Sequence, residues 1–280
     1  MIDIELEKFI KNSLKEDLKG GDHTSLACID KNAKNSAHLI VKDNGIIAGI
    51  ELAVFIFHIV DKKLKTTLLF KDGDSVKEGD IILIVSGNSQ SILLAERLVL
   101  NCMQAMSAIA SKTNNICKLI STTKTKVLDT RKTIPLNRKI QKWAVKIGGG
   151  YNHRYGLYDM IMIKDNHIDF SNGITNAIHK TKQYLEDEKL NLDIIVETRN
   201  LNEVNEVLIE GGVRRILLDN FSFSDTKKAV KAINNKFETE SSGGITEDNI
   251  LEYAKCGVDF VSLGALTHTI KNFDLSLKAL

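Results

Sequence analysis

Met160-Ile161-Met162-Ile163-Lys164-Asp165-Asn166 is a short apolar run that ends in a lysine, an aspartate and an asparagine, and the chain from Lys126 onward repeats this order. It returns in Lys126-Val-Leu-Asp-Thr-Arg131, Leu192-Asp-Ile-Ile-Val-Glu197, Arg215-Ile-Leu-Leu-Asp-Asn220 and Asp259-Phe-Val-Ser-Leu-Gly264. Helical patterns lie between the runs, at residues 202–210, 224–233 and 247–256. Continuous apolar runs alternating with helices read as parallel strands covered by helices, hence a doubly wound sheet or a β/α barrel. Every run ends in charged or hydroxyl residues, which suits a ring of loops around one mouth better than a single crevice, so the reading favours the barrel. No Gly-x-Gly-x-x-Gly follows any run, which weakens a dinucleotide site.

Toward the N-terminus the pattern changes. Ile4, Leu6, Phe9, Ile10 and Leu14 fall at helical spacing and predict an amphipathic surface helix over residues 4–17. The runs His38–Val41, Thr66–Phe70 and Ile81–Val85 are separated by Asn44-Gly45, Asp72-Gly73 and Glu78-Gly79-Asp80. They predict a small antiparallel sheet interrupted by a helix at residues 51–60. From Gln90 to Ile120 a helical segment is apolar on most faces, so it is expected to be buried and to bridge two domains or two subunits.

Charge and cysteine usage narrow the function. In 280 residues, 38 Lys and Arg nearly balance 36 Asp and Glu, and a net charge of +2 gives no general field for nucleic acid or anionic membrane. Any basic site must be local. The start Met1-Ile2-Asp3-Ile4-Glu5 lacks the basic beginning of a secretion signal. Apolar windows such as residues 53–60 are shorter than a bilayer span, so the expected location is the cytoplasm. Cys28, Cys102, Cys117 and Cys256 form no Cys-x-x-Cys pair and read as reduced, partly buried thiols.

The densest chemical cluster is Asp129-Thr130-Arg131-Lys132-Thr133, ahead of Pro135, the only proline. An Arg fork and a Lys point charge at a barrel mouth suit a multiply anionic ligand, with a solvated basic turn as the bland alternative. Gly148-Gly149-Gly150-Tyr151-Asn152-His153-Arg154-Tyr155-Gly156 adds a glycine run able to approach a ligand, followed by His153 and Arg154. Lys164, at the end of its apolar run, needs a ligand or a partner, for which Asp165 is at hand. Glu197 and Asp219 close two later runs. Carboxylates there bind ribose hydroxyls or hydrated Mg²⁺, or accept salt bridges from the nearby cations. His153, His167 and His268 lack metal-ligand spacing, so zinc is not expected. Ser241-Ser242-Gly243-Gly244-Ile245-Thr246 and Ser262-Leu263-Gly264-Ala265-Leu266-Thr267-His268 each follow a strand and enter a helix. Two such turns late in a barrel suit a phosphate cradle, against the plainer reading of two connecting turns.

These motifs, taken in order, resemble the quinolinate phosphoribosyltransferase family of type II phosphoribosyltransferases. The resemblance runs through Gly21-Asp22-His23-Thr24-Ser25, Glu96-Arg97-Leu98-Val99-Leu100-Asn101, Asp129–Thr133, Gly148–Arg154, Gly156-Leu-Tyr-Asp159, Ile163–His167, Leu218-Asp-Asn220, Ser242-Gly-Gly244 and Gly264–His268. It implies an α/β fold: an open, TIM-like β/α barrel at residues 108–269 beside a smaller α+β sandwich domain at residues 1–107, which the segment 270–280 can complete. It implies transfer of phosphoribosyl from phosphoribosyl pyrophosphate (PRPP) to quinolinate with loss of carbon dioxide, using Mg²⁺. It further implies a homodimer in which Arg97 enters the partner's site, with assembly to hexamers left open. By the same resemblance Arg131, His153, Arg154 and the partner's Arg97 bind quinolinate, and Lys132 and Lys164 face the substrates and pyrophosphate. Glu197 and Asp219 lie at the ribose and the metal, directly or through water. Ser242, Gly243, Gly244, Gly264 and His268 bind phosphate.

Two places depart from the family pattern. Thr133-Ile134-Pro135-Leu136-Asn137-Arg138 stands where the family has Thr-Thr-Pro-Gly-Leu-Arg. Thr198-Arg199 follows Glu197 where many members have a second acid, and strand alternation would put Arg199 on the side of Glu197 if the strand runs that far. The rival readings are the related protein of molybdenum-transport operons and a catalytically silent, ligand-sensing barrel. A nucleic-acid-binding module has no basic-aromatic surface motif to support it.

Overall fold

The computed structural model describes residues 3–280, so Met1 and Ile2 of the predicted signal-free start lie outside the described residues. The chain divides into two compact units. Unit 1 comprises Met1–Asn114, Thr133–Gly149 and Thr269–Leu280, and unit 2 comprises Asn115–Lys132 and Gly150–His268.

In chain order the first elements are α1 (Ile4–Leu18), α2 (His23–Cys28), β1 (Lys34–Val41), β2 (Gly45–Ile46), α3 (Ile50–Val60), β3 (Lys65–Leu68), β4 (Ser75–Val76), β5 (Ile81–Asn88) and α4 (Ser89–Leu119). Then follow β6 (Lys126–Leu128), α5 (Arg138–Ile147), β7 (Ile161–Ile163), α6 (Asp165–Phe170), α7 (Ile174–Asp187), β8 (Ile194–Thr198) and α8 (Leu201–Glu210). The last are β9 (Arg215–Asp219), α9 (Phe223–Ile233), β10 (Glu238–Ser242), α10 (Ile250–Lys255), β11 (Phe260–Ser262), α11 (Ala265–His268) and β12 (Leu275–Ala279).

Unit 1 is α+β. Its antiparallel sheet has the order β12-β1-β5-β3, and the C-terminal strand aligns Val41 with Leu275. Along β1 only Ala37, Leu39 and Val41 are buried, the period-2 signature of a sheet with one core face. α1 starts where Asp3 accepts the Leu6 N–H and buries Leu6 and Ile10, as its spacing predicts. α3 begins after Gly49, which has a left-handed φ of 95° and, being glycine, no side chain to cap the helix. Asp72 caps it from a distant turn, accepting the Ile50 N–H at 2.8 Å. Burial pushes the Asp72 carboxyl above its ordinary value against these hydrogen bonds.

α4 is a buried helix, as expected, and corrects only the expectation that the apolar windows are shorter than a bilayer span. Its most apolar window, with mean hydropathy 1.4, is long enough to cross a membrane, but 56% of that window is buried inside the fold. Ser107 Oγ bonds both the N–H and the carbonyl of Ala48, and Met103 and Met106 close against Gly49. These contacts mark it as a core helix.

Unit 2 is an open parallel barrel. Its six strands run in the order β6-β11-β10-β9-β8-β7, every neighbouring pair parallel. One further bridge joins Leu128 to Tyr151 beyond β6, while β7 ends the sheet on the other side. β8 is buried along its whole length and β9 up to Leu218, so both lack amphipathic alternation. β10, Glu-Thr-Glu-Ser-Ser, is polar yet buried at Thr239, Glu240 and Ser241. No apolar run announces it.

Candidate active site

Parallel strands place their C-terminal ends at one face, and there the polar run-ends of unit 2 converge on a single cavity of about 740 Å³. Arg131 and Lys132 arrive after β6, Lys164 one residue past β7, Glu197 on β8, Asp219 at the end of β9 and Ser242 at the end of β10. Gly243, Gly244, Gly264, His268, His153 and Arg154 complete the predicted set in the same lining. Arg97 is not in that lining. It is exposed on α4 and lines a separate cavity within unit 1, with Lys8, Asn101 and Leu136.

Long-range partners organise the charges. Lys164 Nζ donates to Glu197 Oε2 at 2.8 Å, so its partner is a residue on the neighbouring strand, while Asp165 accepts the Asn166 N–H. Asp219 accepts from Ser242 Oγ (3.0 Å) and Asn220 Nδ2 (2.7 Å), which fixes both carboxylate oxygens. Arg154 is buried, its Nη1 donating to the Met160 carbonyl at 3.2 Å. Burial, with the Arg131 guanidinium beside it, holds the Arg154 guanidinium below its ordinary pKa. A pair of cations that raise each other's energy in this way is relieved by a bound anion.

The second departure resolves cleanly. β8 ends at Thr198, and Arg199 turns to Glu203 (Nε to Oε1, 2.8 Å) and Asp169 (Nη1 to Oδ1, 3.0 Å), outside the cavity lining. Arg199 therefore does not share the face of Glu197. In the first departure, Leu136 sits at φ 64° and is 92% exposed, a side chain in a conformation that glycine adopts freely.

The two glycine turns are cramped for definite reasons. A Cβ on Gly243 would stand 2.3 Å from Asn220 Oδ1, and one on Gly264 would stand 2.7 Å from Lys132 Cδ. Thr267 Oγ1 donates to the Lys132 carbonyl at 2.7 Å, tying the lysine loop to the second turn. The triple-glycine run differs from its ligand-approach reading. None of its glycines lines the cavity, and Gly148 is small because a Cβ would lie 2.4 Å from the Ala110 carbonyl oxygen of α4.

Sequence reasoning missed Glu240. Its only signal was the alternation of Glu238 and Glu240 before the glycine turn. Glu240 is fully buried in the cavity floor, 2.8 Å from Arg215 Nη1 and 3.3 Å from His153 Nε2. Burial drives its carboxyl up, but bonding to His153 and the charge of Arg215 outweigh it and hold the pKa below the ordinary value. His167 is structural: its Nδ1 accepts the Lys164 N–H at 3.0 Å. Among the described residues no group of three or more His, Cys, Asp or Glu side chains could hold a metal, and the four cysteines are unpaired.

An open parallel barrel that gathers arginines, lysines, two carboxylates and two glycine turns at its strand ends defines an α/β-barrel protein with a charged cavity at its mouth. Comparison with known proteins agrees. Residues 22–107 match the N-terminal domain and residues 109–278 the C-terminal domain of quinolinate phosphoribosyl transferase. The chain is 44% identical to the chloroplastic nicotinate-nucleotide pyrophosphorylase [carboxylating] of Arabidopsis thaliana, over 98% of this chain and 82% of that protein. A probable nicotinate-nucleotide pyrophosphorylase [carboxylating] of Bacillus subtilis is 35% identical over 98% of this chain and 93% of its own. The solved nicotinate-nucleotide pyrophosphorylase of Francisella tularensis superposes with a TM-score of 0.93 at 39% identity, covering 100% of this chain and 98% of that one. The chain belongs to the quinolinate phosphoribosyltransferase family.

Proposed function

We propose that this protein transfers the phosphoribosyl group of PRPP to quinolinate with decarboxylation, releasing pyrophosphate and carbon dioxide and forming nicotinate mononucleotide for NAD biosynthesis. The observation that carries this reading is the convergence of Arg131, Lys132, Arg154, Lys164, Glu197, Asp219 and both glycine turns on one cavity.

Quinolinate carries two carboxylates, which Arg131 and Arg154 bind, with His153 as adjoining wall and the partner's Arg97 as a third cation. The pyridine nitrogen attacks the anomeric carbon of PRPP as the bond to the pyrophosphate oxygen breaks. Positive charge grows on the ribose ring, where the Glu197 and Asp219 carboxylates stabilise it, and negative charge grows on pyrophosphate, where Lys132 and Lys164 lie. N–H groups of the Ser242–Gly244 turn and the Gly264–His268 turn hold phosphate oxygens. The transfer leaves a pyridinium ring. When carbon dioxide departs from the carbon beside the ring nitrogen, the pyridinium draws in the remaining electron pair, and a proton then takes the vacated position.

The donor set fits a hydrated Mg²⁺ rather than a caged one. Such an ion is held by one or two carboxylates together with substrate phosphates and keeps several waters. Glu197 and Asp219 would hold it, directly or through water, and the ion when bound offsets charge on the leaving pyrophosphate. Two copies form a dimer that exchanges Arg97, and hexamers are compatible with that contact. The exposure of Arg97 and its absence from the lining of the barrel cavity support the exchange. Unpaired cysteines suit a cytoplasmic, reducing location.

Purified protein with quinolinate, PRPP and Mg²⁺ should yield nicotinate mononucleotide on chromatography, and Lys132→Ala should lower the rate on the order of 10²–10³-fold. Mixing inactive Arg97→Ala and Lys132→Ala proteins should restore activity if Arg97 acts across the dimer. No product from folded protein would turn the reading to the molybdenum-linked relative or a sensor.

A further inference from the structure

The floor of the cavity is ionic. Inward layers of a parallel barrel are ordinarily filled by branched aliphatic side chains. Here Glu240 is buried between Arg215 and His153, and Arg215 gives Nε and Nη2 to Glu238 at 3.0 and 2.8 Å and lies 3.9 Å over the Phe260 ring. A carboxylate so deeply buried is costly even when paired, so packing does not account for it.

His153 supplies the link to the site. Its ring is 5% exposed, and its Nδ1 accepts the Arg154 N–H at 2.6 Å. Nδ1 therefore carries no proton, and Nε2, across the ring, lies 3.3 Å from Glu240 Oε2, a charge contact whose geometry does not make a hydrogen bond. From the other side, Asp129 Oδ1 accepts the His153 N–H at 2.8 Å and Oδ2 accepts Asn152 Nδ2 at 2.6 Å. Asp129 thus holds residues 152 and 153 by hydrogen bonds, and Glu240 stands against the far edge of the His153 ring.

We propose that Glu240 is a positioning residue for the acid-binding end of the cavity: from 3.3 Å it holds the His153 ring in place and, through Nδ1, the backbone of Arg154, so that Arg154 meets the ligand at one angle beside Arg131. The proposal rests on the phosphoribosyl-transfer reading only for which substrate it affects.

The test combines kinetics and spectroscopy. Glu240→Ala should raise the KM for quinolinate on the order of tenfold, the worth of one well-placed interaction, and leave the KM for PRPP nearly unchanged. Glu240→Gln, which keeps an acceptor oxygen, should recover most of the loss. In the unaltered protein, ¹⁵N imidazole spectra assigned by His153→Asn should show Nδ1 without a proton, and Glu240→Gln should shift the Nε2 resonance. Equal rises in both KM values, a loss in kcat alone, a proton on Nδ1 of His153, or an Nε2 resonance unmoved by Glu240→Gln would overturn the proposal. If Glu240→Ala leaves Arg215 unpaired and does not fold, Glu240→Gln and the spectra decide. Absence of nicotinate mononucleotide from the unaltered protein would refute the reaction, and the spectra would still judge the Glu240–His153 link.

Discussion

Gly243 and Gly244 are neighbours with left-handed φ of 85° and 60°, and replacing each by alanine should give very unequal losses. At Gly244 a Cβ meets nothing within 4 Å, so Gly244→Ala adds only left-handed strain, about 1 kcal/mol. At Gly243 the Cβ would stand 2.3 Å from Asn220 Oδ1, 2.5 Å from its Cγ and 2.9 Å from its backbone nitrogen. Ordinary contact needs about 3.5 Å, so Asn220 must retreat by about 1 Å. It cannot do so freely, because its N–H donates to the Ser242 carbonyl at 2.8 Å and its Nδ2 to Asp219 Oδ2 at 2.7 Å. The displacement therefore passes to Asp219, the carboxylate proposed at the ribose. A misplacement of that size costs about 10²-fold in rate. Initial rates of nicotinate mononucleotide formation at varied PRPP, with thermal melts to confirm folding, should show Gly243→Ala losing about 10²-fold in kcat/KM and Gly244→Ala staying within a few-fold. Equal damage in the two variants, or none in Gly243→Ala, would refute the steric reasoning.

Three further outcomes are expected. Leu136→Gly should stabilise unit 1: removing about 1–2 kcal/mol of left-handed strain outweighs roughly 0.5–1 kcal/mol of added glycine entropy, and the melting temperature should rise about 2 °C. Arg199→Ala should leave kcat/KM unchanged, because its partners are Glu203 and Asp169, and should lower urea stability by no more than about 1 kcal/mol. Glu240, held below its unfolded pKa of about 4.3, binds fewer protons folded than unfolded. It thus contributes stability above that pH and loses it as pH falls further, so urea midpoints from pH 7 to 3 should fall less steeply in Glu240→Gln.

The strands and their polar ends were legible because each is local. An apolar run of four or five residues and the charge that terminates it lie together in the chain, as in Met160–Lys164 and Arg215–Asp219. So too was α1, whose Leu6 and Ile10 follow the helical period. β10 was not legible as a run, since its inward side chains are carboxylates and a hydroxyl whose partners, Arg215 and Asp219, lie on the neighbouring strand.

Periodicity reports which way a side chain faces, and composition reports what ligand it would suit. The sequence could therefore establish a barrel with anion-binding groups at its mouth, and the family it resembles. Partnership is a matter of distance through space, and only the tertiary structure decided it. It joined Lys164 to Glu197 across 33 positions instead of to Asp165 beside it. It turned Arg199 toward α8 where β8 ends, and it set Glu240 between Arg215 and His153 in the cavity floor. A buried charge must find a partner wherever the packed strands bring one within reach, and no one-dimensional pattern carries that information.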